Sequence, residues 1–200
     1  MRPSSIPWRW LLLFFLVCVA WRHWHSSPIA LPPGVLVPDD PIQTETRRVT
    51  YTQDGYVLEA LADFEIEARV LGTETYRTGR EADLSPIDLA LGWGAMSDSG
   101  VLAKLSISQS GRFYYYRWQN EPPIPPREIV RHSANMHMIP INSDVEDQLN
   151  AVRVGQVVRI TGQLVEVRAS DGWHWRSSLT REDSGAGACE VIRVESVEVN

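Results

Sequence analysis

Two cysteines are all this chain has, and they lie far apart, Cys18 in an N-terminal apolar run and Cys189 close to the C-terminal end. That excludes a disulfide framework and every C-x-x-C zinc or redox spacing. Lysine is scarcer still: Lys104 stands alone, so the positive charge is carried by arginine. Among His132, His137 and His174 there is neither an H-x-H nor an H-x-x-x-H spacing, the separations that put two imidazoles on one face of a strand or helix. No metal site and no cofactor is expected. G-x-S-x-G and P-loop motifs are absent as well. Positive charge is short overall, with a net charge of −6. From Ile42 to Gly100 eleven acidic residues face five arginines. Nucleic-acid binders carry the opposite footprint, a basic face that releases phosphate counterions, so a nucleic-acid partner is excluded.

Long apolar runs are missing too. The longest, Trp10 to Trp21, has twelve residues, about 18 Å as a helix against a hydrocarbon core of about 30 Å. That length suits a signal peptide. The flanks argue for more: Trp8 and Trp10 at one end, Trp21 and Trp24 at the other, with Arg9 and Arg22 beside them. Tryptophan gathers at both membrane interfaces, and arginine snorkels outward to stretch a short segment. Residues 1–9 therefore read as a basic segment and 10–24 as a transmembrane anchor, with a cleaved signal peptide as the alternative. The positive-inside bias of Arg2 and Arg9 over Arg22 puts the rest outside the cytoplasm, in the periplasm of a bacterial cell.

Residues 25–46, with five prolines after Ser27 and no periodicity, read as an extended linker holding the domain off the membrane. The domain spans 47–200. Asp63 to Tyr76 alternates as a strand with Phe64, Ile66 and Ala68 on one face. Ser85, Pro86 and Asp88 predict a helix start running through Leu91, and Ser99 to Leu105 a second short helix. After a tight turn at Ser110-Gly111, Arg112 to Trp118 is a strand. Pro122 to Pro126 breaks the chain. Ser143-x-x-Glu146 is a capping box opening a helix to about Val152, and Gln156–Arg168, Trp173–Thr180 and Cys189–Val199 are strands. The fold class is mainly β (α+β): a small antiparallel barrel with two or three short helices behind the N-terminal segment.

The passage from the Ser143 helix into Val154-Gly155-Gln156-Val157-Val158-Arg159-Ile160-Thr161-Gly162-Gln163-Leu164-Val165-Glu166-Val167, with a mid-strand glycine, is similar to the helix-to-strand step of OB-type barrels. Anchor, linker and barrel together resemble the layout of the membrane-tethered haem chaperones of cytochrome c maturation. Their haem-attaching histidine follows the last strands; here no histidine follows His174, and the haem function does not carry over.

Candidate chemistry falls into three groups. His137 and Asn135 share a strand face and suit the orienting pair of a nucleophile, Cys189 or Ser177; the plainer roles are a water-facing histidine and a cysteine buried as a small hydrophobe. The polar run Ser177 to Gly187 suits an anion-binding nest completed by Arg181; an irregular hairpin loop is its plainer form. Tyr114, Tyr116 and Trp118 share one strand face, as do Trp173 and Trp175, and such rows serve either as core or as stacking platforms. The expectation is a non-catalytic module that binds an envelope protein or a small ligand through these aromatics. The alternative is an envelope hydrolase or transferase using Cys189 or Ser177 with His137.

Overall fold

A computed structural model describes residues 8–180 and 189–200. In chain order the elements are α1 (Trp8–Ser26), β1 (Ile42–Thr44), β2 (Thr50–Gln53), β3 (Tyr56–Thr75), β4 (Ile87–Gly92), α2 (Ser99–Leu102), β5 (Ser106–Ser110) and β6 (Phe113–Arg117). There follow α3 (Pro126–Arg131), β7 (Ser133–Pro140), α4 (Ser143–Ala151), β8 (Val157–Arg168), β9 (His174–Arg176) and β10 (Glu190–Val199). The protein is mostly β with few helices, broadly α+β.

The length of β3 sets the architecture. Its first two thirds, Val57 to Arg69, pair with β8, and its last third, Arg69 to Thr75, pairs with β4. One strand thus joins the two ends of the path β3-β4-β7-β10-β8, and the sheet curls into a partly closed barrel. Bulges at Ala60–Ala62 and Val70–Gly72 let β3 bend. Its alternation feeds Phe64, Ile66, Ala68 and Val70 into a core shared with Leu89, Leu91, Met136, Met138, Ile160, Leu164, Ile192 and Val194. Val145 and Leu149, one turn apart on α4, join the same core. Each of the larger of these side chains contributes about 1.5–3 kcal/mol through its burial.

The expected antiparallel barrel contains one parallel pair, β7 with β10, because the chain leaves β7 through α4 and returns by β8 before β10 is laid down. A larger departure lies at residues 85–91, read as a helix. Ile87 to Gly92 is β4, buried throughout. Ser85, Pro86 and Asp88 imitate a helix start, but Ile87, Leu89 and Leu91 point into the barrel while Asp88 and Ala90 are covered from outside. Burial on two opposite faces favours period two. The cap of α4 is also displaced by one residue: Asn142, not Ser143, accepts the Val145 N–H at 3.0 Å. A short helix, α3, follows the proline run, with Pro126 in its first turn.

The proline-rich stretch is extended but not free. Ile29 N–H donates to Val154 O at 2.8 Å, and Leu36 and Val37 N–H both donate to Ser97 Oγ. Val37 is buried in the barrel core, and Asp40 accepts the Trp93 indole N–H. Asp98 accepts the N–H groups of Gly34 and Gly100, which hold its carboxyl below the usual carboxylate range. The segment therefore lies along the barrel as a strap. Gly155, with φ of +93°, makes room for it: a Cβ there would stand 2.0 Å from Ile29 O. Gly155→Ala should lift the start of the strap, raising hydrogen exchange at the amides of Ile29, Leu36 and Val37 about tenfold or more while β7 and β10 keep their protection. Unchanged exchange at those three amides would contradict the docking.

Candidate functional site

Antiparallel pairing of β4 with β7 puts Asp88 opposite His137 and Ala90 opposite Asn135. All four lie on the outer face of the barrel, and Asp88 has no exposed surface. A carboxylate there is tolerated only if charge and hydrogen bonds are brought to it. The β5–β6 hairpin brings them. Its turn has positive φ at Gly111 (60°) and at Arg112 (70°), the signature of a type I′ turn. A left-handed arginine is strained by about 1–3 kcal/mol, and its surroundings hold it in place. Arg112 N–H donates to Tyr76 Oη at 3.0 Å, its carbonyl accepts from Asn135 Nδ2 at 3.0 Å, and its guanidinium lies 3.8 Å over the Tyr76 ring.

The guanidinium Nη1 reaches Asp88 Oδ1 at 2.7 Å and Ser85 O at 2.9 Å. Asn135 Nδ2 donates to Asp88 Oδ2 at 3.2 Å, and Gln109 Nε2 donates to Asn135 Oδ1 at 2.8 Å. His137 Nδ1 stands 3.0 Å from Asp88 Oδ1 but is not aligned for a hydrogen bond. The far side of the imidazole packs on Trp175, with ring centroids 4.8 Å apart. Asp88, Asn135, His137, Gln109 and Arg112 thus form one buried polar knot that pins the hairpin tip to the barrel.

A second cluster lies where residues 76–86 meet residues 169–180. Arg80 pairs with Asp171 at 2.6 Å, and its guanidinium lies 5.1 Å over Trp173 and 5.9 Å over Tyr56. Trp173 in turn neighbours Trp175 at 6.3 Å. Beneath them Glu166 takes Arg176 at 2.6 Å and Arg168 at 3.1 Å. Burial works against the Glu166 charge, yet the two guanidiniums outweigh it and hold its carboxyl below the ordinary range. Glu166, Arg168, Ala169, Gly172, Trp173 and His174 line a shallow cavity of about 300 Å³.

The aromatic row of β6 is divided by its surroundings. Tyr114, Tyr116 and Trp118 are half-buried against Leu71, Met96 and Ile129. Tyr114 Oη meets Ser133 Oγ, and burial pushes its phenol well above the ordinary range. On the opposite face Phe113 and Tyr115 are exposed. Asn135 and His137 share the outer face and both lie against Asp88, which, with Arg112, is not apparent as a partner from the sequence. A lone aspartate inside the apolar run from Ile87 to Leu91 was the available signal. Ser177 Oγ donates to Ser178 O at 2.8 Å and accepts from Val191 N at 3.1 Å, so its hydroxyl is committed to backbone. Cys189, half-buried, directly precedes β10. Arg181 lies outside the described residues. Among the described residues no group of three metal-ligating side chains occurs. Comparison with protein-family models, with curated proteins and with solved structures finds no match to this chain.

Proposed function

We propose that this protein is a membrane-tethered, non-catalytic binding module with an OB-like barrel, acting outside the cytoplasm in a bacterial envelope. The strand path supports the barrel type. Counting β3, β4, β7, β8 and β10 as first to fifth, the ring runs 1-2-3-5-4 and returns to 1, with α4 between the third and fourth. OB barrels take ligands on the face of their second and third strands and on the loops after the first and before the last. Here the chain's own β5–β6 hairpin covers much of the β4–β7 face. The observation that carries the reading is what remains: the loops 76–86 and 169–180 converge, with Arg80 over Trp173, Trp175 beside that indole, and His174 on the rim of the adjoining cavity that Trp173 lines. Such a cluster stacks planar or sugar-like groups and donates hydrogen bonds at its edge.

The tether rests on α1, whose apolar side chains from Trp8 to Val19 are exposed. No helix among the described residues is long and apolar enough to cross a membrane by itself. With 19 residues, α1 measures about 28 Å, and in the sequence tryptophans and arginines flank its apolar run. One experiment addresses both halves. A benzophenone amino acid at His174 in the full chain, irradiated in cells, is expected to give an adduct that stays in the carbonate-washed membrane pellet. Trp173→Ser should abolish the adduct. Equal labelling from the same group at Asp54, in the β2–β3 turn, would overturn the binding reading, and release into the wash would overturn the tether.

A further inference from the structure

We propose that a groove at the open end of the β5–β6 ribbon, away from the Trp173 cluster, binds a saccharide bearing a single carboxylate. The groove holds about 490 Å³ and is lined by Lys104, Ser106, Arg117, Trp118, Asn120 and Glu121, among others. That volume lies within the range of about 300–1,000 Å³ typical of small-ligand sites.

Its charges are the first argument. Many of the other arginines are engaged, Arg69 with Ser97 and Ser99, Arg112 with Asp88, Arg159 with Glu65, Arg176 with Glu166. Lys104 and Arg117 are not: neither makes an ion pair or side-chain hydrogen bond among the described residues. Both are exposed, and they face one groove in a chain whose net charge is −6. Glu121 shares the lining, so the local balance of Lys104, Arg117 and Glu121 is a single positive charge. That balance matches one carboxylate and disfavours a polyanion, because a second anionic group would be brought against Glu121. Arg117 suits the carboxylate through its planar fork, and Lys104 through its compact charge.

The apolar side of the groove supplies the second argument. Trp118 stacks on Tyr116 at 6.2 Å with 21° between the rings, which fixes the indole plane. The indole N–H has no acceptor among the described residues, and the side-chain amide of Asn120 has no protein partner either. A ring held flat, with donors and an amide around its edge, matches the alternation of C–H faces and hydroxyl rims in a pyranose.

Lys104 is the only lysine, which makes the test site-specific. The full chain in detergent is treated with an acetylating N-hydroxysuccinimide ester, and acylation at Lys104 is followed by peptide mass spectrometry against the N-terminal amine as internal reference. Aldobiouronic acid, a disaccharide with one carboxylate, is expected to slow Lys104 acylation about threefold at about 10 mM, as a millimolar Kd requires. Arg117→Gln, an exposed change, should remove most of that protection. Absence of protection would overturn the proposal. So would equal protection by neutral cellobiose, which would show the charge to be idle, or by a singly acidic tripeptide, which would assign the groove to peptides. None of these outcomes bears on adduct formation at His174, so the two readings fail independently.

Discussion

Asp88→Ala should lower the stability of the protein by about 3–5 kcal/mol, the range for breaking a buried charge pair by removing one partner. The substitution does little to packing. What it leaves behind is the difficulty: the Arg112 guanidinium, 17% exposed, loses its carboxylate while still enclosed by Tyr76 and Ser85. Asn135 Nδ2 loses one of its two acceptors. The left-handed backbone at Arg112 then keeps its strain with fewer bonds to hold it. For a domain of this size the loss corresponds to a melting temperature lower by roughly 6–20 °C. Exchange protection in β5 and β6 should fall before that in β8 and β10. The double variant Asp88→Leu with Arg112→Leu should recover much of the stability, since replacing both partners by apolar groups is often near neutral. A loss under about 1 kcal/mol in the single variant would mean that Arg112 swings out to water, and the knot would not be what pins the hairpin.

That knot shows where sequence reading stopped. Strands announced themselves wherever one face was apolar and the other polar, as at Phe64, Ile66 and Ala68, and the Tyr114–Tyr116–Trp118 row marked β6 correctly. That His137 and Asn135 share a strand face also followed from period two alone. Asp88 and Arg112 did not, because they meet only after a hairpin 24 residues downstream folds back over β4. No local pattern carries that contact. At Ser85 and Pro86 the local signals even pointed to the wrong element, since capping residues are read without knowledge of what covers Asp88 and Ala90.

The strap was obscured for a related reason. Prolines from Pro28 to Pro41 say that the chain is extended, and say nothing about whether an extended chain lies on a surface. Its attachment is carried by Ser97, Asp98, Trp93 and Gly155, none of which looks distinctive in a one-dimensional reading. Only Ser27 and Pro28 separate the end of α1 from the first hydrogen bond to the barrel at Ile29, a reach of about 10 Å at most. Were α1 the proposed tether, the domain would stand next to the membrane rather than on a long lead.

Gly162→Ala is the second change with a large expected effect, and it probes the barrel rather than the knot. Gly162 pairs with Phe64 on one side and Val194 on the other, so it lies where three strands run side by side. A Cβ there would stand 2.2 Å from Arg193 O and 3.1 Å from Val194 Cα. Those atoms are backbone and cannot rotate away; β10 must shift, next to its own bulge between Val194 and Ser196. The expected loss is about 3 kcal/mol or more, at the upper end of what overpacking costs, read as a lower urea midpoint. Gly172→Ala is the control: its φ is +91° with nothing within 4 Å of the added carbon, so backbone strain alone applies, about 1 kcal/mol. Equal losses in the two variants would mean that β8 and β10 do not approach as closely as the ladder requires. The segment between those two strands carries Trp173 and Trp175, so Gly162→Ala should also weaken labelling from His174 without touching a residue of the cluster. Acylation of Lys104, in the turn between α2 and β5, should stay as it was.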